Sequence, residues 1–132
     1  MAAVLDTHAV IWYVFVSRRL SQPALQFIRR AIRGGRPVYI SAISVVETIY
    51  LIEKGRVPLE AIQRLESGLK DPASGLRVAP VDEDVAEAVL QVPRDAVPDM
   101  PDRIIAATAL HLGLPLITRD QRIRSARIKT IW

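Results

Sequence analysis

Four acidic residues, Asp6, Glu47, Asp102 and Asp120, stand at places in the chain where strands end and helices begin. Carboxylates gathered together repel one another, and the cluster is costly unless positive charge lies between them. An oxygen-only donor set favours a hard divalent cation, Mg2+ or Mn2+. Such an ion lowers the pKa of water and polarises a phosphoryl oxygen, the two requirements of phosphodiester hydrolysis, and no nucleophilic side chain is needed. The chain has no cysteine and only two histidines, His8 and His111. Disulfide scaffolds, thiolate zinc centres and histidine-rich metal sites are thereby excluded.

Each acid also has a structural reading. Glu47 lies three residues after Ser44, the spacing of a capping box. Asp102 answers a helix dipole in a first turn, and Asp120 suits a turn or the cap of a short helix. Asp6, closing an apolar strand, is the one that turn chemistry explains least. The case for a functional site rests on where the elements bring the four together.

Those elements follow from periodicity and punctuation. Ala3-Val4-Leu5 is a short buried strand stopping at Asp6-Thr7. Ser21 and Pro23 open a helix whose stripe is Leu25, Ile28 and Ile32, and Gly34-Gly35 closes it. Val38-Tyr39-Ile40 is β-rich, and Ser44 is expected to open a helix running through Val45, Ile49 and Ile52 to near Gly55. Pro58 starts another, carrying Leu59, Ile62, Leu65 and Leu69, before the turn cluster Asp71 to Gly75. Leu76 to Val81 reads as a strand, Asp82 as a cap ahead of Val85 and Val89, and Pro93 to Pro101 as a loop. Asp102 is expected to open the helix with Ile104, Ile105, Ala109 and Leu112 on its buried side, and Gly113 ends it. Leu114 to Thr118 and Ile128 to Ile131 complete the strands.

Strands alternating with helices need crossover connections, so the expected fold is α/β, a mainly parallel central sheet flanked by helices on both faces. With 132 residues, half of them hydrophobic, residues 1–132 are expected to form a single domain. In such a sheet the carboxyl ends of the strands and the N-termini of the following helices share one edge. Asp6, Glu47, Asp102 and Asp120 all fall there.

Net charge is +4 and arginine far outnumbers lysine. Guanidinium forks suit phosphate, but the basic residues are dispersed, and a general preference for arginine accounts for them equally well. The N-terminus has no positively charged lead, and Ala9 to Val16 falls short of the roughly 20 apolar residues that span a bilayer. A cytoplasmic protein with no membrane association is the expectation.

The motifs now resemble a known family. Val4-Leu5-Asp6-Thr7-His8-Ala9 with Trp12 resembles the opening of PIN domains, particularly VapC-like toxins of toxin–antitoxin pairs. Ser41 to Glu47 is similar to the family's second acidic motif, Pro101 to Ala109 to its third, and Leu116 to Asp120 to its fourth. The resemblance spans nearly the whole chain in the family's order. It implies a magnesium- or manganese-dependent endoribonuclease, with RNA as substrate and Asp6, Glu47, Asp102 and Asp120 as both catalytic residues and metal ligands. On this reading Asp6 and Asp120 bind the principal ion, Asp102 and Glu47 complete its shell or orient the attacking water, and a second ion binds with substrate. Asp99 is an additional or outer acid, and Asp95 a weaker candidate. Thr118 and Thr7 support the carboxylates, although Thr7 could equally cap the next helix. Arg103, Arg119 and Arg122 are placed to grip RNA phosphates, with Arg124 and Arg127 nearby. Few aromatic residues are available for stacking bases.

The resemblance also implies a homodimer and a cognate antitoxin whose segment lies in a groove near the acids, an amphipathic helix with an arginine reaching the carboxylates. Ala9 to Val16 is apolar all round, which fits a partner surface or a helix buried between sheet and neighbours. His8 and His111 read as structural residues, with His8 the one to test by pH–rate profile. Three competing readings remain: a non-catalytic RNA-binding or assembly module on the same fold, a magnesium-dependent phosphatase, and a phosphoacceptor domain. The last two want a tight pair of acids and a lysine, which Asp6-Thr7-His8 does not supply.

Overall fold

A computed structural model describes residues 1–132, the side chain of Ser125 excepted. Five strands, β1 (Ala3–Leu5), β2 (Val38–Ser41), β3 (Leu76–Ala79), β4 (Leu116–Ile117) and β5 (Thr130–Ile131), form one sheet in the order β3-β2-β1-β4-β5. Every pairing is parallel, with Leu5 beside Ile40 on one side and Ile117 on the other. Six α-helices supply the crossovers: α1 (Thr7–Val14), α2 (Gln22–Arg33), α3 (Ala42–Glu53), α4 (Glu60–Lys70), α5 (Glu83–Ala88) and α6 (Met100–Leu112). The last two strands are shorter than their apolar runs suggest.

Alternation along each strand feeds two cores. Ala3, Leu5, Val38, Ile40 and Ile117 pack with α1, α2 and α4. Val4, Tyr39 and Leu116 face the other way, against α5, α6 and the 3-10 segment Gln121–Ala126. Because both faces are covered at the centre of the sheet, the inner strands β1 and β4 are continuous apolar runs. The two connections leaving β1 and β4 go to opposite sides, so the order reverses beside β1, where a doubly wound sheet opens a crevice.

Local signals set the helix ends, with three departures from the sequence reading. Ser21 and Asp82 cap as expected, their side chains accepting from Ala24 N and Val85 N. Helix α3 begins earlier: Ser41 caps it, accepting from Ile43 N. Ser44 is therefore a buried residue inside the helix, and Glu47 sits in the second turn with no capping box. Helix α6 likewise opens before Asp102, because Asp99 accepts from Asp102 N at 3.1 Å and Pro101 is already helical. Helix α4 starts at Glu60 rather than Pro58. Gly75 requires its residue type, since φ is +75° and a Cβ would lie 2.8 Å from Ile32 Cγ1.

The apolar first helix is half accounted for by this chain. Ala9, Val10 and Ile11 are buried, whereas Trp12, Tyr13 and Val14 form one wall of a groove of about 610 Å3 between α1, α2 and α4. Arg64 of α4 donates to Val14 O and lies 4.9 Å over the Phe15 ring, tying the end of α1 to α4. A second exposed apolar face lies on α3, where Val46, Ile49 and Tyr50 are 46%, 40% and 59% exposed. Among the described residues, no helix is long and apolar enough to cross a membrane.

Candidate active site

Asp6 leaves β1 and caps α1, accepting from Ala9 N at 2.9 Å. Asp120 leaves the loop after β4 and caps the segment Gln121–Ala126 through Arg122 N. With Asp99 capping α6, three acids are carried to the carboxyl edge by the requirement that a helix beginning there have its free N–H groups met. Thr7 is not a cap, and its hydroxyl is left for other use. Asp102, in the first turn of α6, and Glu47, in the second turn of α3, line the same space. Asp6, Glu47, Asp99, Asp102 and Asp120 line one cleft of about 730 Å3, with Thr7 and His8 beside them.

The carboxyls feel both burial and one another. Burial pushes the Asp6 carboxyl above its ordinary range, opposed by hydrogen bonds from the Thr118 hydroxyl and Ala9 N. Burial also raises Glu47, against a hydrogen bond from Thr7. Asp102 is pushed up to about 7, first by burial and then by the charges of Asp99, Glu47, Asp6 and Asp120. Asp120 moves the other way, because Arg122 holds it.

The donors are all oxygen, which fits a hard divalent cation in kind, and their mutual repulsion is what such an ion relieves. They do not converge on one point, however. Among the described residues, no three acidic or histidine side chains come close enough to enclose an ion. Asp120 is turned aside by Arg122, whose Nε and Nη2 donate to it at 3.1 and 3.0 Å. Glu47 is held by Thr7 and Asp6 by Ala9 N.

The supporting residues divide. Thr118 accepts from Asp120 N at 3.0 Å and donates to Asp6, so one buried hydroxyl links two acids. Thr7 lies 2.5 Å from Glu47 Oε1. Of the arginines expected to grip phosphate, Arg119 lines the cleft. Arg103 points away: its guanidinium donates to Val92 O and Val89 O, with Nη2 2.8 and 3.0 Å from them. There it satisfies carbonyls at the end of a short 3-10 turn and ties α6 to the proline loop. Arg122 is on the acid itself, and Arg124 donates to Thr130 Oγ1.

Sequence reasoning misses Arg19, Lys54 and Arg56, which also line the cleft. Arg19 follows α1, and Lys54 and Arg56 follow α3, so no adjacency to one of the cleft acids signals them. It also undervalues the few aromatics: His8, Trp12 and Trp132 form a ring cluster at the cleft edge, with centroids 5.6 and 5.7 Å apart. Trp12 lines both the acidic cleft and the apolar groove.

An all-parallel sheet in this order, with acids gathered along its carboxyl edge, defines a doubly wound α/β domain with a carboxylate cleft at its switch point. The profile of the PIN domain matches residues 3–129, and the chain belongs to that family. Among individual relatives it is similar to ribonuclease VapC22 of Mycobacterium tuberculosis, 35% identical over 132 residues, covering 98% of this chain and 97% of that protein. Among solved structures, the DNA-bound VapBC2 complex of Rickettsia felis contains a chain that superposes with a TM-score of 0.73 at 13% identity, covering 98% of this chain and 97% of the other. A chain in a toxin–antitoxin complex from Klebsiella pneumoniae superposes with a TM-score of 0.60 at 28% identity, covering 89% and 86%.

Proposed function

We propose that this protein is a divalent-metal-dependent endoribonuclease, the toxin of a toxin–antitoxin pair. The observation that carries the reading is the cleft that gathers Asp6, Glu47, Asp99, Asp102 and Asp120 on the sheet's carboxyl edge. The near full-length similarity to a ribonuclease supports it.

Asp6, Asp120, Asp102 and Glu47 are the residues that would hold the cation, Mg2+ or Mn2+, with the exposed Asp99 beside them. When bound, the ion supplies Lewis acidity toward the phosphoryl oxygen and lowers the pKa of water. The chain's own part is to collect the carboxylates, keep Asp6 and Glu47 oriented through Thr118 and Thr7, and steer the substrate. Arg19, Lys54, Arg56 and Arg119 line the cleft with the acids, so a phosphate chain entering it meets positive charge beside the carboxylates. Use of Asp120 as a ligand requires its release from Arg122.

The apolar groove walled by Trp12, Tyr13, Val14 and Leu25, with Arg18, Arg29 and Arg64 at its margins, suits an amphipathic antitoxin segment. Trp12 is the point at which that segment reaches the acids. The exposed α3 face, Val46, Ile49 and Tyr50, suits a homodimer contact. The five-acid cleft disfavours a purely non-catalytic module.

The test is cleavage of tRNA, rRNA fragments and single-stranded oligonucleotides by antitoxin-free protein with Mn2+, Mg2+ or chelator, beside Asp6→Asn. Metal-dependent cutting that is lost in the variant is expected. A folded parent that cuts nothing with either ion would overturn the enzymatic reading in favour of the binding module.

A further inference from the structure

We infer that Ser44 is a positioning residue of the acidic site, acting through Thr7 to fix the Glu47 carboxylate; the inference rests on the metal-dependent reading above. Ser44 is fully buried on α3, one turn before Glu47, and its Oγ lies 3.0 Å from the Thr7 hydroxyl on α1. Thr7 is in turn 2.5 Å from Glu47 Oε1.

Counting protons gives the chain a direction. An ionised carboxylate only accepts, so the single Thr7 hydroxyl proton goes to Glu47. Thr7 Oγ1 then accepts from Ser44, whose proton completes the line Ser44 to Thr7 to Glu47. Without Ser44, Thr7 is free to turn its proton from the carboxylate. One Glu47 oxygen is thus held from the protein side, which fixes the orientation of the side chain in the cleft.

A buried serine in a helix has a simpler way to satisfy itself, which its neighbours use. Thr48 donates to Ser44 O and Thr108 to Ile104 O, each at 2.8 Å and each to the carbonyl four residues back. Ser44 instead engages a hydroxyl 37 residues away on another helix. Thr48 is equally buried on the same helix and outside the relay, and so serves as the control for packing.

The experiment measures Mn2+ binding alone, by loss of the free-ion EPR signal, and single-turnover RNA cleavage at saturating Mn2+. Variants are Ser44→Ala, Thr7→Val, Thr7→Ser and Thr48→Ala, with thermal melts to verify folding. Support around metal ligands typically governs affinity by about 10- to 100-fold. The relay predicts roughly tenfold weaker Mn2+ binding for Thr7→Val, somewhat less for Ser44→Ala, and recovery in Thr7→Ser. Thr48→Ala lowers the melting temperature and leaves Mn2+ affinity in place. Unchanged affinity in Ser44→Ala, or equal losses in Ser44→Ala and Thr48→Ala, would overturn the relay while leaving the nuclease reading intact. A folded parent that binds no Mn2+ would sink both.

Discussion

Substituting Asp102 by Asn should stabilise the metal-free protein at alkaline pH, although it removes a proposed ligand. The Asp102 carboxyl is pushed from 3.8 to about 7 by burial and by Asp99, Glu47, Asp6 and Asp120. A raised carboxyl means that the folded chain binds the proton more tightly than the unfolded chain. Its stabilising contribution is fully present below 3.8 and is lost as pH rises through about 7. Without screening the interval is worth about 4 kcal/mol. The side chain is only half-buried, so water and salt screen it and about 1–2 kcal/mol remains. Asn imitates the protonated form at every pH. Its advantage over the parent should therefore grow between about pH 4 and pH 7 and stay level above.

The assay is urea denaturation of chelator-treated parent and Asp102→Asn, followed by circular dichroism across that pH range. The alkaline difference corresponds to about 3–8 °C in melting temperature for a chain of this size. Added Mn2+ should reverse the order at about pH 8, because the parent gains binding energy that the variant has lost. An Asn variant less stable than the parent at alkaline pH without metal, or an advantage independent of pH, would refute the claim that burial and neighbouring acids raise this carboxyl.

Arg122→Gln should tighten Mn2+ binding by less than about tenfold, since it releases Asp120 from an exposed ion pair of modest strength; titration by EPR checks this, and weaker binding would mean that the arginine helps to assemble the site. Lys54→Gln combined with Arg56→Gln should raise KM for RNA with little change in kcat. The salt dependence of binding should become shallower by about 0.7 for each phosphate no longer neutralised, whereas Arg103→Gln should lower the melting temperature without changing that slope. Gly75→Ala should cost about 2–4 kcal/mol, combining a left-handed φ with a clash against Ile32. Equilibrium unfolding measures that cost, and a neutral result would show that the turn rearranges freely.

Much of this architecture is legible in the sequence because its signals are local. Gly34 after Ile32, Asp82 before Val85 and Gly113 after Leu112 punctuate helices whose stripes are visible by eye. The parallel sheet follows from alternation, and the four acids follow from the sheet. Two misplaced helix starts have one cause. Ser44 and Asp102 have the residue types that open helices, but Ser41 and Asp99, three residues earlier, cap instead. A cap is chosen by backbone geometry at the strand end, and several polar residues close together satisfy the pattern equally. Arg103 shows another limit. Adjacency to Asp102 suggests a cleft residue, yet neighbours on a helix point about 100° apart, and position 103 faces the proline loop. Arg19, Lys54 and Arg56 show the converse, distant in sequence and joined only by the fold.

The structural and functional readings of the acids are not alternatives. Asp6, Asp99 and Asp120 each accept from a backbone N–H at the start of a helix. In a parallel sheet those starts lie beside the strand ends, so ordinary capping delivers carboxylates to the crevice beside β1. Capping occupies only part of each carboxylate's accepting capacity, since an ionised group offers about four lone-pair positions. Thr118 takes part of the remainder at Asp6 and Arg122 part of it at Asp120, and what is left is available to the cleft. Asp102 and Glu47 lack this excuse: neither caps a helix, and burial and neighbouring acids raise both. If capping alone explained the cluster, Asp102→Asn and Glu47→Gln would cost nothing but a little solubility. If the cluster exists to hold a cation, the same changes relieve the empty protein and disable the loaded one, and that opposition of signs is what a stability measurement with and without Mn2+ detects.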